Sequence, residues 1–309
     1  MNTTTTSPAR VTAAITLTLG IIVIASASIL IRYAQADHIP SLVIAAGRLG
    51  ISASILSLIV AYRRQIWTAS ITTHHAGLAI ISGICLAIHF ATWIQSLEYT
   101  TVASSAALVA TTPLWVGLVA RFLLKESLNR WRIVGMALTI AGSVLIAVSD
   151  QQHTSASNPL LGNGLALLGA ISGSAYFLVG RSLRHDIPLL QYIWMTYGSA
   201  ALVLLAASIA FGNHTLPGTP TAWLILAGLA IGPQLLGHTS INFAMRHLSA
   251  LLVTIALLGE PLGSAILAFF LFHERIAPLQ LTGLIGLLVG IGATAFGETQ
   301  ENSIASVEY

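Results

Sequence analysis

Ionisable side chains inside long apolar runs are the residues of this sequence best placed to do chemistry. They are Arg48, His89, His238 and Glu260. Such groups are costly in hydrocarbon, so they usually face a protein interior or a water-filled cavity and pair with another group. These four residues are therefore the first candidates for a site that binds a substrate or a coupling ion.

Glu260 and Arg48 each allow two interpretations. Glu260 is the only carboxylate near the middle of an apolar run. It either binds a proton or a substrate amine, or it is a buried acceptor for a hydroxyl, an amide or an arginine. Arg48 cannot neutralise itself by losing its proton. It either holds an anionic substrate group or makes a fixed ion pair or carbonyl contact, and the sequence leaves both pairs of alternatives open.

Polar residues at helical spacing extend this candidate site. His89 and Trp93 are four residues apart and share one face of a helix. Gln234, His238 and Asn242 follow the same spacing and predict a polar stripe along an otherwise apolar helix. Because a polar stripe is costly against lipid, we expect these three side chains to line an interior cavity.

Two prolines and a tryptophan lie deep in the apolar runs. Pro113 and Pro261 lack an N–H, so each frees the carbonyl four residues earlier and kinks its helix. The freed carbonyls either line a cavity or are satisfied locally. Trp115, like Trp93, either caps an aromatic or apolar substrate or packs in the core.

The elements that carry these residues are membrane helices. Of 309 residues, 55% are hydrophobic and 7% are charged, against roughly 25% charged in soluble proteins. The sequence predicts an all-α membrane protein of ten transmembrane helices, because ten apolar segments reach the roughly 20 residues that a span needs. They are centred near residues 21, 51, 87, 111, 140, 171, 200, 232, 260 and 287.

Basic residues predict the orientation of these helices, because cytoplasmic loops are enriched in them. With both termini in the cytoplasm, the cytoplasmic segments hold Arg10, Arg63, Arg64, Arg121, Lys125, Arg130, Arg132, Arg181, Arg184 and Arg246. The opposite side holds Arg32 and Arg275. We therefore expect a multi-pass protein of the cell membrane.

The chain also contains an internal duplication. A shift of 148 residues superposes Pro40 on Pro188, Pro113 on Pro261, Glu126 on Glu274, Gly135 on Gly283 and Gly142 on Gly290. Residues 1–150 and 151–309 are thus predicted to be two five-helix repeats. Five is an odd number, so the second repeat must be inverted, an arrangement that recurs in secondary transporters.

The sequence at this point resembles the EamA-like branch of the drug/metabolite transporter superfamily. The resemblance is carried by ATTPLWVGLVARFLLKESLNRWRIVGMALTIAG in the fourth and fifth spans and by LLGEPLGSAILAFFLFHERIAPLQLTGLIGLLVGIG in the ninth and tenth. It implies secondary transport, often export, of amino acids, related metabolites or drugs. It also implies that the two halves rock around a central cavity.

Other classes of function find less support in the sequence. His273 and Glu274 begin an HExxH-like pattern, but Ala277 occupies its last position, and no Walker A motif is present. An intramembrane enzyme or a non-transporting scaffold remains the alternative. We expect no cofactor, no metal and no nucleic acid. The expected partners are a small-molecule substrate, protons and membrane lipid, with the chain acting as a monomer or homodimer.

Overall fold

The computed structural model describes residues 8–63, 71–124, 129–153, 157–183, 186–213, 217–248, 253 and 256–305. Regular structure in these ranges is helical. The helices are α1 (Pro8–Ala25), α2 (Ala27–Ala36), α3 (Ser41–Tyr62), α4 (Thr73–Ser96), α5 (Val102–Val109), α6 (Thr112–Leu124), α7 (Arg130–His153), α8 (Pro159–Leu183), α9 (Leu189–Ala210), α10 (Pro220–Leu229), a π-helical segment (Ala230–His238), α11 (Thr239–Ala244), α12 (Gly259–Phe272) and α13 (Pro278–Ala305).

The predicted all-helical membrane class is confirmed. Eight segments of the described chain are long and apolar enough to cross a membrane, and two shorter apolar helices, Gly259–Phe272 and Pro278–Thr294, follow them. The count of ten spans stays a prediction because these last two helices are below the length of a full span. Glu126, the predicted repeat partner of Glu274, lies outside the described residues.

The fourth apolar run is broken into α5 and α6 in front of Pro113. Helix α5 ends at Val109 and α6 begins at Thr112, so the proline lies in a first helical turn, where its missing N–H costs little. The Thr112 hydroxyl donates a hydrogen bond of 2.8 Å to the Val109 carbonyl. The carbonyl freed by the proline is therefore satisfied locally, within the same chain segment.

Helices α3 and α9 share their length and their start. Each has 22 residues and follows a proline, Pro40 with φ −59° and ψ 140° and Pro188 with φ −58° and ψ 146°. The fixed φ of proline sets the direction in which each helix leaves the preceding turn. The two helices pack against each other, and the Trp194 indole donates to the Ser57 hydroxyl between them.

Helices α7 and α13 make a close contact through glycines. A Cβ on Gly135 would lie 2.5 Å from the Gly290 carbonyl oxygen, and one on Gly142 would lie 2.6 Å from that of Gly283. Small residues allow helix backbones in a membrane to approach this closely. The sequence pairs Gly135 with Gly283 and Gly142 with Gly290, so the two contacts exchange under the predicted repeat.

Gly290→Ala is expected to destabilise the protein by about 1–3 kcal/mol, because the added methyl overpacks the contact. A Cβ at Gly290 would lie 2.5 Å from the Thr139 amide nitrogen, whereas one at Gly292 would meet nothing within 4 Å. Thermal unfolding in detergent checks this. Gly292→Ala is the matched control and should keep or slightly raise the melting temperature; equal melting of both variants would contradict the contact.

Candidate functional site

A cavity of about 330 Å³ lies where α4, α5, α6, α8, α11 and α12 meet. We call it the central cavity. Its apolar wall includes Leu86, Val116, Phe177, Leu178, Ile241 and Met245. Its polar wall consists of His89, Trp93, Thr112, Tyr176, His238 and Glu260. Both predicted halves of the chain contribute to each wall, so the cavity lies between them.

The two ends of the helix bundle differ in how they enclose this cavity. At one end, the Arg246 end, the Arg246 side chain donates to the Ile187 carbonyl. The central cavity reaches this end, since Met245 and Leu248 line it. At the other end, the Glu274 end, polar side chains join the helices. The cavity therefore extends from the middle of the bundle toward the Arg246 end.

Glu260 lies in the first turn of α12 and faces the central cavity. Its side chain is the one carboxylate on the cavity wall among the described residues. It makes no hydrogen bond to another described residue, and no ion pair within 4.0 Å. The carboxylate and Arg48 attract each other electrostatically across the wall. The Glu260 side chain is thus available to a ligand or a proton.

Arg48 lies behind the cavity wall and is fully buried. Its Nε donates a hydrogen bond of 2.9 Å to Oε1 of Gln234. The guanidinium carbon lies 4.1 Å from the centroid of the Phe90 ring and 5.9 Å from that of Trp93. A desolvated cation over aromatic faces is stabilised by the ring quadrupoles, by about 2 kcal/mol. Arg48 therefore packs among aromatic rings without touching a carboxylate in the described chain.

His89 and Trp93 share one face of α4 and both line the cavity, where the sequence places them together. Their rings stack with centroids 5.9 Å apart. Nδ1 of His89 lies 2.8 Å from the Gly169 carbonyl oxygen. A carbonyl accepts only, so Nδ1 carries the hydrogen of the neutral ring and Nε2 is an acceptor. His89 can therefore accept a hydrogen bond from a molecule in the cavity.

The three members of the predicted stripe lie in different surroundings. His238 lines the cavity, and its ring lies 5.4 Å from the Phe90 ring. Gln234 is buried beside Arg48. Asn242 is also buried and donates to the Tyr176 hydroxyl at 2.9 Å.

The π-helical segment Ala230–His238 explains this divergence. A π-helix has a wider turn than an α-helix, so residues four apart no longer share one face. Pro233 lies inside the segment and removes one backbone donor. The spacing of four in the sequence assumes an α-helix, and the register changes between Gln234 and Asn242.

The remaining candidates lie around the break in front of α6 and in α12. Pro113 lines the cavity, while Pro261 is buried beside Glu260 in the first turn of α12. Trp115 is half-buried, and its indole N–H donates to the Thr111 hydroxyl at 3.1 Å. The structure therefore gives Trp115 a partner in the break between α5 and α6.

A polar cluster at the Glu274 end was not found from the sequence. Asp150 is buried and accepts hydrogen bonds from Ser104 at 2.9 Å, Asn163 at 2.9 Å and Gln280 at 3.2 Å. Thr100 adds a bond of 3.2 Å to the same carboxylate. The sequence analysis did not single out Asp150, because it stands at the end of an apolar run and resembles a loop residue.

A second contact at the Glu274 end joins α2, α5 and the start of the α12–α13 connection. We call Glu274, Arg32 and Val102 the Glu274 latch. Glu274 accepts from the Val102 amide at 3.1 Å and pairs with Arg32 at 3.4 Å, and Arg32 also donates to the Leu97 carbonyl. Burial raises the pKa of the Glu274 carboxyl, against the opposing effect of Arg32. The latch therefore joins three separate segments of the chain at this end of the bundle.

The described part of the chain contains no group of three His, Cys, Asp or Glu residues that are close enough together to hold a metal ion. Cys85 is a free cysteine in α4. The geometry instead offers one acidic group, two imidazoles and aromatic faces around a cavity. A mostly apolar cavity with a few polar groups is the general form of a small-molecule site.

Comparison with known proteins gives one family. The EamA-like transporter family matches residues 11–148 and again residues 160–296. An uncharacterized transporter of Archaeoglobus fulgidus is 25% identical over 222 residues, which cover 71% of this chain and 74% of that protein. A probable terminal-alkyne amino-acid exporter of Streptantibioticus cattleyicolor is 26% identical over 184 residues, 58% of this chain and 59% of that protein.

The fold also resembles a solved structure. A crystal structure with 17% sequence identity superposes with a TM-score of 0.63 and covers 92% of this chain and 96% of its own. At this identity the likeness concerns the fold alone.

Proposed function

The chain belongs to the EamA-like transporter family, and on that premise we propose that it is a secondary carrier that exports a small metabolite by alternating access. In this proposal residues 1–150 and 151–309 form two inverted repeats of five helices. The central cavity between them holds the substrate. Substrate sites at a repeat interface near the midplane are the general pattern in such carriers.

The repeat is supported by helix boundaries as well as by the family match. Helices α3 and α9 begin and end at positions related by the shift found in the sequence, and α7 and α13 begin at such positions. The glycine contacts between α7 and α13 exchange under the same shift. Two-fold related contacts of this kind are expected when one repeat is inverted relative to the other.

Coupling to protons is proposed from one observation. Glu260 faces the central cavity without a hydrogen bond to any described residue. A carboxylate at membrane depth that lacks a fixed partner is a candidate for binding a proton or a cationic group. We infer that Glu260 takes up a proton in one half of the cycle and releases it in the other.

The direction of transport is proposed from the distribution of basic residues. The Arg246 end belongs to the side that the sequence places in the cytoplasm. The cavity reaches that end, and the Glu274 latch closes the opposite one. The arrangement corresponds to an inward-facing carrier, ready to load a substrate from the cytoplasm. The amino-acid exporter among the relatives supports the same direction.

Transport in proteoliposomes tests this proposal. The purified chain would be reconstituted with a panel of labelled amino acids, amines and other small metabolites, with and without a pH gradient. We expect exchange of at least one compound, and its accumulation when a gradient is imposed. Absence of exchange and of gradient-driven movement across the whole panel would argue against a carrier of these compounds.

A further inference from the structure

The buried side chains behind the wall of the central cavity carry hydrogen-bond donors that have no acceptor. Nη1 and Nη2 of Arg48 and Nε1 of Trp93 are buried and have no hydrogen-bond partner among the described residues, and the Gln234 side chain beside them meets the Tyr197 hydroxyl. An unsatisfied buried donor costs about 1–3 kcal/mol, and more when it is charged. Such a set is rare in proteins, and it requires a specific explanation.

The positive charge of Arg48 makes the lack of a hydrogen-bond acceptor more costly. A guanidinium stays protonated in proteins, and no carboxylate of the described chain lies within 4.0 Å of this one. Its Nε uses the one carbonyl oxygen of Gln234. Glu260 attracts Arg48 but lies on the cavity wall without contacting it. A full positive charge therefore remains buried with aromatic faces as its main neighbours.

Neighbouring hydroxyls cannot satisfy all of these donors. The Tyr197 hydroxyl lies beside the Thr239 and Gln234 side chains, and each hydroxyl must also donate its own hydrogen. Nδ1 of His238 adds one further buried nitrogen without a partner among the described residues. Guanidinium and indole nitrogens donate only, and the Gln234 oxygen accepts from Nε of Arg48. Donors therefore exceed acceptors around Arg48. An acceptor with a negative charge would complement these donors.

We propose that Arg48, Gln234 and Trp93 form a binding site for a small monoanion, a carboxylate group or a halide, directly behind the wall of the central cavity. Hydrogen bonds from a cation to an anion are roughly twice as strong as neutral ones. Trp93 and His238 line the cavity and also contact the aromatic group around Arg48. The cavity is therefore the route by which the anion arrives.

The bound anion could come from two sources. The anion is either a free inorganic ion or the carboxylate of the carried molecule, and the site rests on the proposed carrier function only for the second source. Glu260, on the cavity wall, is oppositely charged to Arg48. A molecule with both an amine and a carboxylate would place its charges on the two sides of this wall.

The test is anion binding by the full chain in detergent, measured without transport. Thermal unfolding would be followed at constant ionic strength while sodium gluconate, the bulkiest of the three anions, is replaced by chloride or by acetate. We expect saturable stabilisation by both anions, with competition between them. An unfolding temperature that is the same in all three salts would overturn the proposal.

Two variants separate this site from general salt effects. Gln234→Glu places a carboxylate beside Nε of Arg48, so it should abolish the response to chloride and acetate while the protein still folds. Trp93→Phe keeps an aromatic ring and removes one hydrogen-bond donor, so it should lower the affinity for the anion by about tenfold or less. Trp223→Phe is the control, since that indole donates to the Pro217 carbonyl elsewhere. An unchanged response in the first two variants would overturn the site.

The two sources are then distinguished in proteoliposomes. If the carried molecule supplies the anion, substrates with a carboxylate should displace chloride from the purified protein, and analogues without it should not. If the ion is inorganic, exchange should require chloride on the loading side. If transport fails but anion binding in detergent is observed, the carrier function is contradicted and the anion site is not. The two proposals are therefore tested independently.

Discussion

Glu260→Gln is expected to abolish accumulation driven by a pH gradient while leaving substrate exchange at equal pH within about tenfold of wild type. The amide keeps the shape of the side chain but cannot bind and release a proton. Gradient-driven transport requires the carrier to change its protonation in each cycle, whereas exchange requires only that the loaded cavity alternate. The measurement compares both modes of transport in the same proteoliposomes.

Glu98→Gln is the matched control for this experiment. Glu98 is an exposed carboxylate at the Glu274 end that bonds Ser41 and Gln95, away from the central cavity. The same chemical change there should leave both modes of transport intact. If Glu260→Gln also leaves gradient-driven transport intact, the coupling site lies elsewhere. His89 and His238 would then be the next candidates, because they are the two imidazoles on the wall of the same cavity.

Glu274→Ala is expected to shift the carrier toward a state that opens at the Glu274 end. The substitution removes the acceptor of the Val102 amide and the partner of Arg32. A hydrogen bond to a charged group contributes about 1.5–3 kcal/mol, which corresponds to a shift of roughly tenfold to a hundredfold in the equilibrium between the two states. A cysteine at Leu178 on the cavity wall reports this shift by its labelling rate from each side of the membrane.

The control for the latch is again at Glu98, this time as Glu98→Ala. Its partners Ser41 and Gln95 lie in the same half of the chain as Glu98 itself, whereas Glu274 contacts residues of the other half. Glu98→Ala should leave the labelling rates unchanged. Equal rates for Glu274→Ala and wild type would show that the latch does not hold the Glu274 end closed.

Composition and periodicity were enough to predict the class of fold, whereas the functional site stays a prediction. A chain with so few charges has no solvent other than lipid for its apolar helices. Pro113 marks the break between α5 and α6 because proline cannot remain in a regular helix interior. Glu260 was conspicuous because carboxylates are rare at membrane depth, and the structure places it on the cavity wall.

The contacts around these residues were not predictable from spacing. Gln234 turns toward Arg48 because a π-helical segment intervenes, and a hydrophobic pattern does not distinguish a π turn from an α turn. The partners of Asp150 come from α5, α8 and α13, far apart in sequence. Only tertiary packing brings such groups together, so the closure at the Glu274 end could not be recognised from local patterns.

In the proposed mechanism, one cavity is reached alternately from the two sides of the membrane. Two-sided labelling of Leu178→Cys tests this, made in a Cys85→Ser background with a membrane-impermeant thiol reagent in oriented vesicles. We expect labelling from the Arg246 end to predominate without substrate, together with slower labelling from the Glu274 end that accelerates when the latch is removed. Labelling from one side only, whatever the state of the latch, would contradict alternating access.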